Sequence, residues 1–429
     1  MAVYWCPVCS IPLASTTCGI CGGIYRKSMS ADLTPVFREE IDMLLSDFSL
    51  SSEAASVGNY RLWTDSNSYY ADGQRVAKIS YNNSKTPALT LLGNAGRILH
   101  AFTGSDRSIL RKLLVANRDH LHQITHEAET FIREVMRLHA GCIFVVPFSG
   151  GKDSTVVSSI VKSALPEQDV LHVFVDTGIE SPDTHRFVSR FFDSNALIPF
   201  ITAHPNVDFF QMCQLLGPPS RIKRWCCSTQ KTFPLGALYA ILGNGHRIIS
   251  ICGVRKAESV RRRLHKRIYS NTKIANETMI CPILEWSDFD VWLYILSNYL
   301  AFNKAYRKGF RRIGCIHCPY NSKWSDFLKK KYYPKEKSRW DNVIEGYYVS
   351  RGIPFGDSDG DRWKARAGAL SHSDNHSDVD VNKCDSNESA YTVHYHSESL
   401  VDLWVYLRPF GRVDVQYDDG IVSYGCVSG

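Results

Sequence analysis

Nowhere in the chain do 18 apolar residues follow one another, and a helix that crosses a bilayer needs about that many. A membrane span is therefore not expected. The opening Met1-Ala2-Val3-Tyr4-Trp5-Cys6 has no basic segment ahead of an apolar one, which argues against a secretory leader. The sequence shows no internal repeat, so solenoids and propellers are set aside. It also lacks Gly-x-x-x-x-Gly-Lys-Ser/Thr, the loop of Walker-type nucleotide hydrolases, so cleavage between β- and γ-phosphates is not the expected chemistry. What is present is ordinary globular material. Hydrophobic residues make up 44% and charged residues 22% of 429 residues, enough for packed cores in two to four domains.

Cysteine is plentiful, with 14 in the chain. Cys6-Pro7-Val8-Cys9 and Cys18-Gly19-Ile20-Cys21 are two Cys-x-x-Cys knuckles separated by residues 10–17. Four thiolates at this spacing can close a tetrahedral Zn²⁺ site, and a segment this short needs the metal in order to fold. Cys226 and Cys227 are adjacent, and Cys315-x-x-Cys318 forms a further pair. These four can hold a [4Fe–4S] cluster, with a second zinc as the competing reading and Cys281 as an alternative ligand. Cys142, Cys213 and Cys252 sit in apolar surroundings and read as core residues. Without a leader, such cysteines speak for metal rather than disulfides and for a reducing cytoplasm.

Net charge is +7, and the basic residues cluster. Arg255, Lys256, Arg261, Arg262, Arg263, His265, Lys266 and Arg267 form one run, and Lys304, Arg307, Lys308, Arg311 and Arg312 another, with Lys329 to Lys331 close behind. Such runs suit phosphate-bearing partners or, more plainly, solvated helix faces.

Five segments follow from the patterning. Residues 1–23 are the cysteine ribbon. Residues 24–140 form an adaptor with a hairpin turn at Asp72-Gly73 and one long amphipathic helix from Ser108, ended by Gly141. Residues 141–370 alternate strand and helix, which implies an α/β fold: a parallel twisted sheet with helices on both faces. Residues 371–390, rich in Ser, Asp, Asn and His, read as a flexible linker, and 391–429 as a β-rich tail.

Ser149-Gly150-Gly151-Lys152-Asp153-Ser154 joins the apolar strand Cys142–Val146 to a helix from Thr155 to Ala164. Glycines let the backbone turn its N–H groups outward, and the helix start adds partial positive charge, so an anion belongs there. Ser149 and Ser154 can donate to phosphate oxygens and Lys152 can pair with charge. Asp153 would repel bare phosphate, which calls for Mg²⁺ between them.

This loop resembles the PP-loop of ATP pyrophosphatases, which release pyrophosphate when an acceptor attacks the α-phosphorus. The resemblance continues through Phe174 to Thr184, Arg224 to Leu235, Gly253 to Ser259, Pro282 to Trp292 and Gly314 to Pro319, in the order found in the phosphoadenosine-phosphosulfate reductase family. It implies an adenine nucleotide alpha hydrolase-like fold and an enzyme that binds ATP. By this resemblance Asp176, Thr177 and Gly178 lie beside adenine and ribose, and Gly253 and Arg255 face a phosphate or sulfate, with Lys231 and Arg261 as further contacts. Lys152, Asp153 and Arg255 are the expected catalytic groups.

The cysteines resemble those of iron–sulfur adenylylsulfate reductases and of the ATP-pyrophosphatase component of DNA phosphorothioation systems. The latter implies adenylation of an acceptor oxygen followed by sulfur transfer. Its partners would be a nucleic acid, DNA above all, and a cysteine desulfurase or other sulfur donor protein, and an oligomer is compatible with it. Sulfonucleotide reduction to sulfite, tRNA thiolation and a nucleotide-sensing subunit without catalysis are the alternatives. Against the reductase, Tyr424-Gly425-Cys426-Val427-Ser428-Gly429 departs from the Glu-Cys-Gly-Leu-His tail of those enzymes.

Overall fold

The computed structural model describes residues 2–30, 32–48, 60–81, 86–93, 108–221, 223–350, 363–364, 379–383, 391–395, 412–418 and 421–427. Among them no helix is long and apolar enough to cross a membrane.

The ribbon folds as a hairpin of β1 (Tyr4–Cys6) and β2 (Ile11–Leu13). An antiparallel sheet follows: β3 (Thr34–Pro35), β4 (Leu62–Asp65), β5 (Ser68–Ala71), β6 (Gln74–Tyr81) and β7 (Pro87–Leu91), with helix α1 (Arg38–Asp47) between β3 and β4. The turn expected at Asp72-Gly73 joins β5 to β6, with both residues at positive φ.

The single long helix expected from Ser108 is instead two, α2 (Ser108–Ala116) and α3 (Arg118–Leu138). Asn117 interrupts it for a physical reason. Its side chain accepts from the Ala14 N–H at 2.7 Å and donates to the carbonyls of Pro12 at 3.1 Å and Leu113 at 2.8 Å. An asparagine that can bond neighbouring backbone in this way competes with helix continuation.

The central sheet has six strands in the order β10 (Phe200–Ala203), β9 (Leu171–Val175), β8 (Ile143–Pro147), β11 (Ile248–Ile251), β13 (Glu277–Ile280), β12 (Ile268–Ser270). All pairs are parallel except β12 with β13. Alternation along β8 sends Val146 and Val145 into different apolar clusters, as a sheet buried on both faces requires. Helix α4 (Lys152–Ala164) packs with α3, while α5 (Pro182–Asp193) contributes Phe187 and Val188 to a cluster with Phe148 and Phe174. Ser181 caps α5 ahead of Pro182, the residue best suited to a first helical turn. Further on come α6 (Phe209–Leu216), α7 (Phe233–Gly243), α8 (Asp288–Ser297), α9 (Lys323–Tyr332) and α10 (Pro334–Ser350).

One apolar core runs through ribbon, adaptor and sheet: Ile11 and Leu13, then Leu113 and Ile132, then Val156, Ile160 and Trp292. The linker expected at 371–390 lies outside the described residues except for Val379–Lys383, which pairs with Tyr391–Tyr395. In the tail, Arg412–Asp418 pairs with Ile421–Val427, in keeping with its β-rich reading.

Candidate active site and metal centres

The connections on either side of β8 run in opposite directions across the sheet, so a crevice opens at the carboxyl ends of β8 and β11. The phosphate loop lies there. Gly150 has φ +70, and a Cβ on it would come within 2.9 Å of the Val188 side chain, so both conformation and space demand glycine. Gly151 starts α4 with no side-chain cap. The hydroxyl of Tyr306 accepts the Lys152 N–H at 3.0 Å, and the Asn303 side chain bonds the Gly150 carbonyl at 3.4 Å. Ser154 shapes the loop: its Oγ accepts the Ser149 N–H at 3.2 Å and donates to the Gly151 carbonyl at 2.9 Å. Ser149 is exposed at the mouth.

Behind the loop, four charges interlock. Lys152 Nζ is 3.0 Å from Asp153 Oδ2 and 3.0 Å from Asp288 Oδ1. Arg255, 1% exposed, places Nε 2.5 Å from Asp153 Oδ1 and Nη2 2.6 Å from Asp288 Oδ1. Burial pushes the Asp153 carboxyl up, but Lys152 and Arg255 outweigh it and hold the group at about 2. Burial likewise works against the charge on Lys152, and the two aspartates overcome it. Gly253 lets the segment after β11 approach the start of α4, since a Cβ there would lie 2.8 Å from the Asp153 backbone. Lys152, Asp153, Gly253 and Arg255 are thus brought together as the sequence implied. Asp288, Tyr306 and Asn303 were not singled out. Asp288 lies inside the Pro282–Trp292 segment, whereas nothing in the sequence marks Tyr306 or Asn303.

Asp176, Thr177 and Gly178 turn away from the end of β9. Asp176 Oδ1 accepts the Gly178 N–H at 2.9 Å, and Glu180 accepts the Thr177 N–H at 3.0 Å and its hydroxyl at 2.8 Å. Asp176, Glu180 and His185 offer ligand atoms within 4.8 Å of one another.

Next to this turn stand the four later cysteines. Cys226 and Cys227 end a short helical turn that passes into a π-helical one over Ser228–Thr232, a local widening often found at functional sites. Cys315-x-x-Cys318 is anchored by the Ile316 N–H donating to the Ile179 carbonyl at 2.7 Å. Lys231 hydrogen-bonds Cys315 and also feels Glu180 and Cys227. Arg224 Nη2 donates to Cys227 Sγ at 3.2 Å. The bond from Cys226, and then Arg224 and Lys231, lower the Cys227 thiol to about 5 against the opposing effect of burial. Cys281 packs instead with Cys252 and Leu284, and Cys213 is buried in another apolar cluster.

The two cysteine sets differ in size. Cys6, Cys9, Cys18 and Cys21 all lie within 4.8 Å of one another, with Cys6–Cys21 at 3.7 Å and Cys9–Cys18 at 3.8 Å. Tetrahedral Zn²⁺ with bonds of about 2.3 Å needs sulfurs about 3.8 Å apart, so the residues fit a single ion. The later set does not close into so tight a group. A four-iron cube is wider than one ion, and its complex with four thiolates is a dianion, which Lys231 and Arg224 beside the thiols suit.

Ion pairs take up much of the basic runs. Arg307 pairs with Glu39 at 2.6 Å, Lys308 with Asp183 at 2.5 Å and Arg311 with Glu40 at 2.5 Å. In the other run Lys256 pairs with Glu285, Arg262 with Glu258 and Arg267 with Glu127. Arg261, Arg263 and Lys266 are exposed. The stretch from Lys304 to Arg312 therefore fastens α1 and α5 to the domain, a use that charge density alone does not reveal.

Strand order, loop and switch-point crevice together define a PP-loop, adenine nucleotide alpha hydrolase-like α/β domain. Residues 143–321 match the family described as phosphoadenosine phosphosulfate reductase domain. An uncharacterised protein of Methanocaldococcus jannaschii is 36% identical over 203 residues, which are 47% of this chain and 42% of that protein. A second from the same organism is 31% identical over 236 residues, 54% of this chain and 55% of that protein. The chain thus spans about half the length of these relatives. Adenosine 5'-phosphosulfate reductase of Geobacillus kaustophilus is 24% identical over 172 residues, 40% of this chain and 70% of the enzyme. Among solved structures, the phosphoadenylyl-sulfate reductase of Candida auris covers 47% of this chain and 97% of its own at 16% identity and TM-score 0.35. A tRNA thiolase of Methanococcus maripaludis with its [4Fe–4S] cluster covers 55% and 81% at 16% identity and TM-score 0.31. Likeness this distant says nothing about function.

Proposed function

We propose that the protein is an ATP pyrophosphatase that adenylates an acceptor oxygen and supports sulfur transfer, with the DNA backbone as acceptor. The observation that carries this reading is the placement of the Ser149–Ser154 loop and the cysteine set at the same sheet edge, the latter touching the Ile179–Glu180 turn through Ile316 and Lys231. Loop N–H groups, Lys152 and Arg255 bind the β- and γ-phosphates. Asp153 and Asp288 are then left to face Mg²⁺, which supplies charge neutralisation on the polyphosphate when bound. Zn²⁺ belongs to the ribbon and a [4Fe–4S] cluster to Cys226, Cys227, Cys315 and Cys318, where it supplies a place to hold sulfur near the activated acceptor.

The chemistry balances in two displacements at phosphorus and one at sulfur. A non-bridging phosphodiester oxygen attacks the α-phosphorus, the bond to the β-phosphate oxygen breaks, and pyrophosphate leaves. The terminal sulfur of a persulfide, brought by a cysteine desulfurase or another donor protein, then attacks the backbone phosphorus, AMP departs with the oxygen, and a second thiol cleaves the S–S bond, leaving the phosphorothioate and a disulfide. Adenylation is needed because a bare non-bridging oxygen is a very poor leaving group.

Incubation with α-labelled ATP and Mg²⁺, with and without DNA, tests the reading. AMP and pyrophosphate are expected, and ADP as the main product would overturn it. The family match favours one other reading, reduction of a sulfonucleotide, which sulfite release from adenylylsulfate under the same conditions would identify.

A further inference from the structure

Beside the later cysteines the surface carries an aromatic ring framed by cations. Tyr320 follows Cys318-Pro319 and is 52% exposed. The ring is fixed in place, because its hydroxyl donates to the Arg221 carbonyl at 2.9 Å. The Arg224 guanidinium lies 5.0 Å and that of Arg221 5.9 Å from the ring centroid. Arg221 Nε also reaches the Pro319 carbonyl at 3.4 Å, and Arg224 bonds Cys227. Arg221, Lys223 and Arg224 are all exposed, and the ion pairs found among the described residues leave these three without a carboxylate. In the run from Lys304 to Arg312, by contrast, Arg307, Lys308 and Arg311 each meet an acid. Here three positive charges and a rigid, half-open ring meet at the rim of the cysteine set.

We propose that Tyr320, with Arg221, Lys223 and Arg224, is a landing platform for an unpaired nucleic-acid strand, one base stacking on the ring or its guanidinium layer while the cations hold the flanking phosphates. This rests on the proposed reading of the active site and narrows its acceptor to a single strand. The physics favours that form. A base within a duplex has its faces covered, whereas an unstacked base offers a π-face to tyrosine and arginine, worth about 1–3 kcal/mol per base. Phosphate contacts add affinity that falls with salt. A fixed ring adds position, since its hydroxyl bond leaves little rotation to lose on binding. With Cys227 bonded to Arg224, a strand seated here would bring its backbone to the side of the molecule where sulfur is to be held.

The test uses the full chain and fluorescence anisotropy with labelled oligothymidylate, oligouridylate and a matching duplex, together with a fluorescent ATP analogue. The wild type is expected to bind single strands more tightly than duplex. Tyr320→Ala is expected to weaken single-strand binding roughly 5- to 150-fold. Tyr320→Trp is expected to restore it, and all forms are expected to bind the ATP analogue alike, which also reports that they fold. The thymidylate and uridylate arms separate DNA from RNA. Duplex preference, or unchanged single-strand binding in Tyr320→Ala, overturns the platform while leaving pyrophosphate release intact. Loss of pyrophosphate release in the wild type with Tyr320-dependent strand binding overturns the enzymatic reading and not the platform.

Discussion

At the phosphate loop two cations and two carboxylates neutralise one another, and Asp288 touches both cations. An incoming polyphosphate must displace that carboxylate or give it a metal to face. Asp288→Asn should therefore bind ATP in the presence of a chelator roughly tenfold more tightly than the wild type, and gain less from added Mg²⁺. Calorimetry with and without the metal measures both, and weaker chelator-state binding would remove Asp288 from this role. A second residue ties stability to acidity. His172 is buried on β9, with Nδ1 bonded to the Val170 carbonyl at 2.8 Å and Nε2 to Ser158 Oγ at 2.8 Å. Burial lowers its pKa from 6.5 to about 4, with the Val170 bond opposing. The unfolded chain thus takes up this proton first. The stability held by the neutral ring is whole above about pH 6.5 and is lost as pH falls toward 4. His172→Asn should flatten that part of the profile. In urea titrations the wild type should lose about 2 kcal/mol more than the variant between pH 7 and pH 5, and parallel profiles would refute the assignment.

Among the elements, the two cysteine sets are separable by what each supports. The ribbon buries Cys6, Ile11 and Leu13 completely, and Gly19 approaches the Ala116 backbone so closely that a Cβ would sit 2.8 Å from its carbonyl oxygen. A metal held by this ribbon would therefore brace the adaptor helices. The π-helical turn behind Cys226 and Cys227 belongs instead to the later cysteine set. Cys315→Ser should abolish the visible absorbance expected of an anaerobically purified iron–sulfur protein and leave the zinc content unchanged. Cys6→Ser should do the reverse and also lower the melting temperature. Metal analysis beside spectroscopy decides, and a colourless wild type holding two zinc ions would rule out the cluster.

Across the whole molecule, the parallel sheet was legible where a strand is a short apolar run ahead of a turn and a helix, as β8 is, one residue from the expected Cys142–Val146; β12 and β13 carry no such run. The loop was legible because its chemistry is local. The counterions were not. Asp288 reaches Lys152 across 136 positions of sequence and Glu40 reaches Arg311 across 271, and no local pattern announces such pairs. The break at Asn117 was hidden likewise, since its partners Pro12 and Ala14 precede it by more than 100 residues. That long-range bond sets an order of events during synthesis. The ribbon is synthesised ahead of α2 and α3, the helices packed with Ile11 and Leu13 in one core. Until then an ion on Cys6, Cys9, Cys18 and Cys21 would be what keeps the nascent hairpin folded. With such an ion as the brace, a cell short of it would be translating the central sheet behind an unfinished foundation, and the supply of one ion would govern how much of the protein survives its own birth.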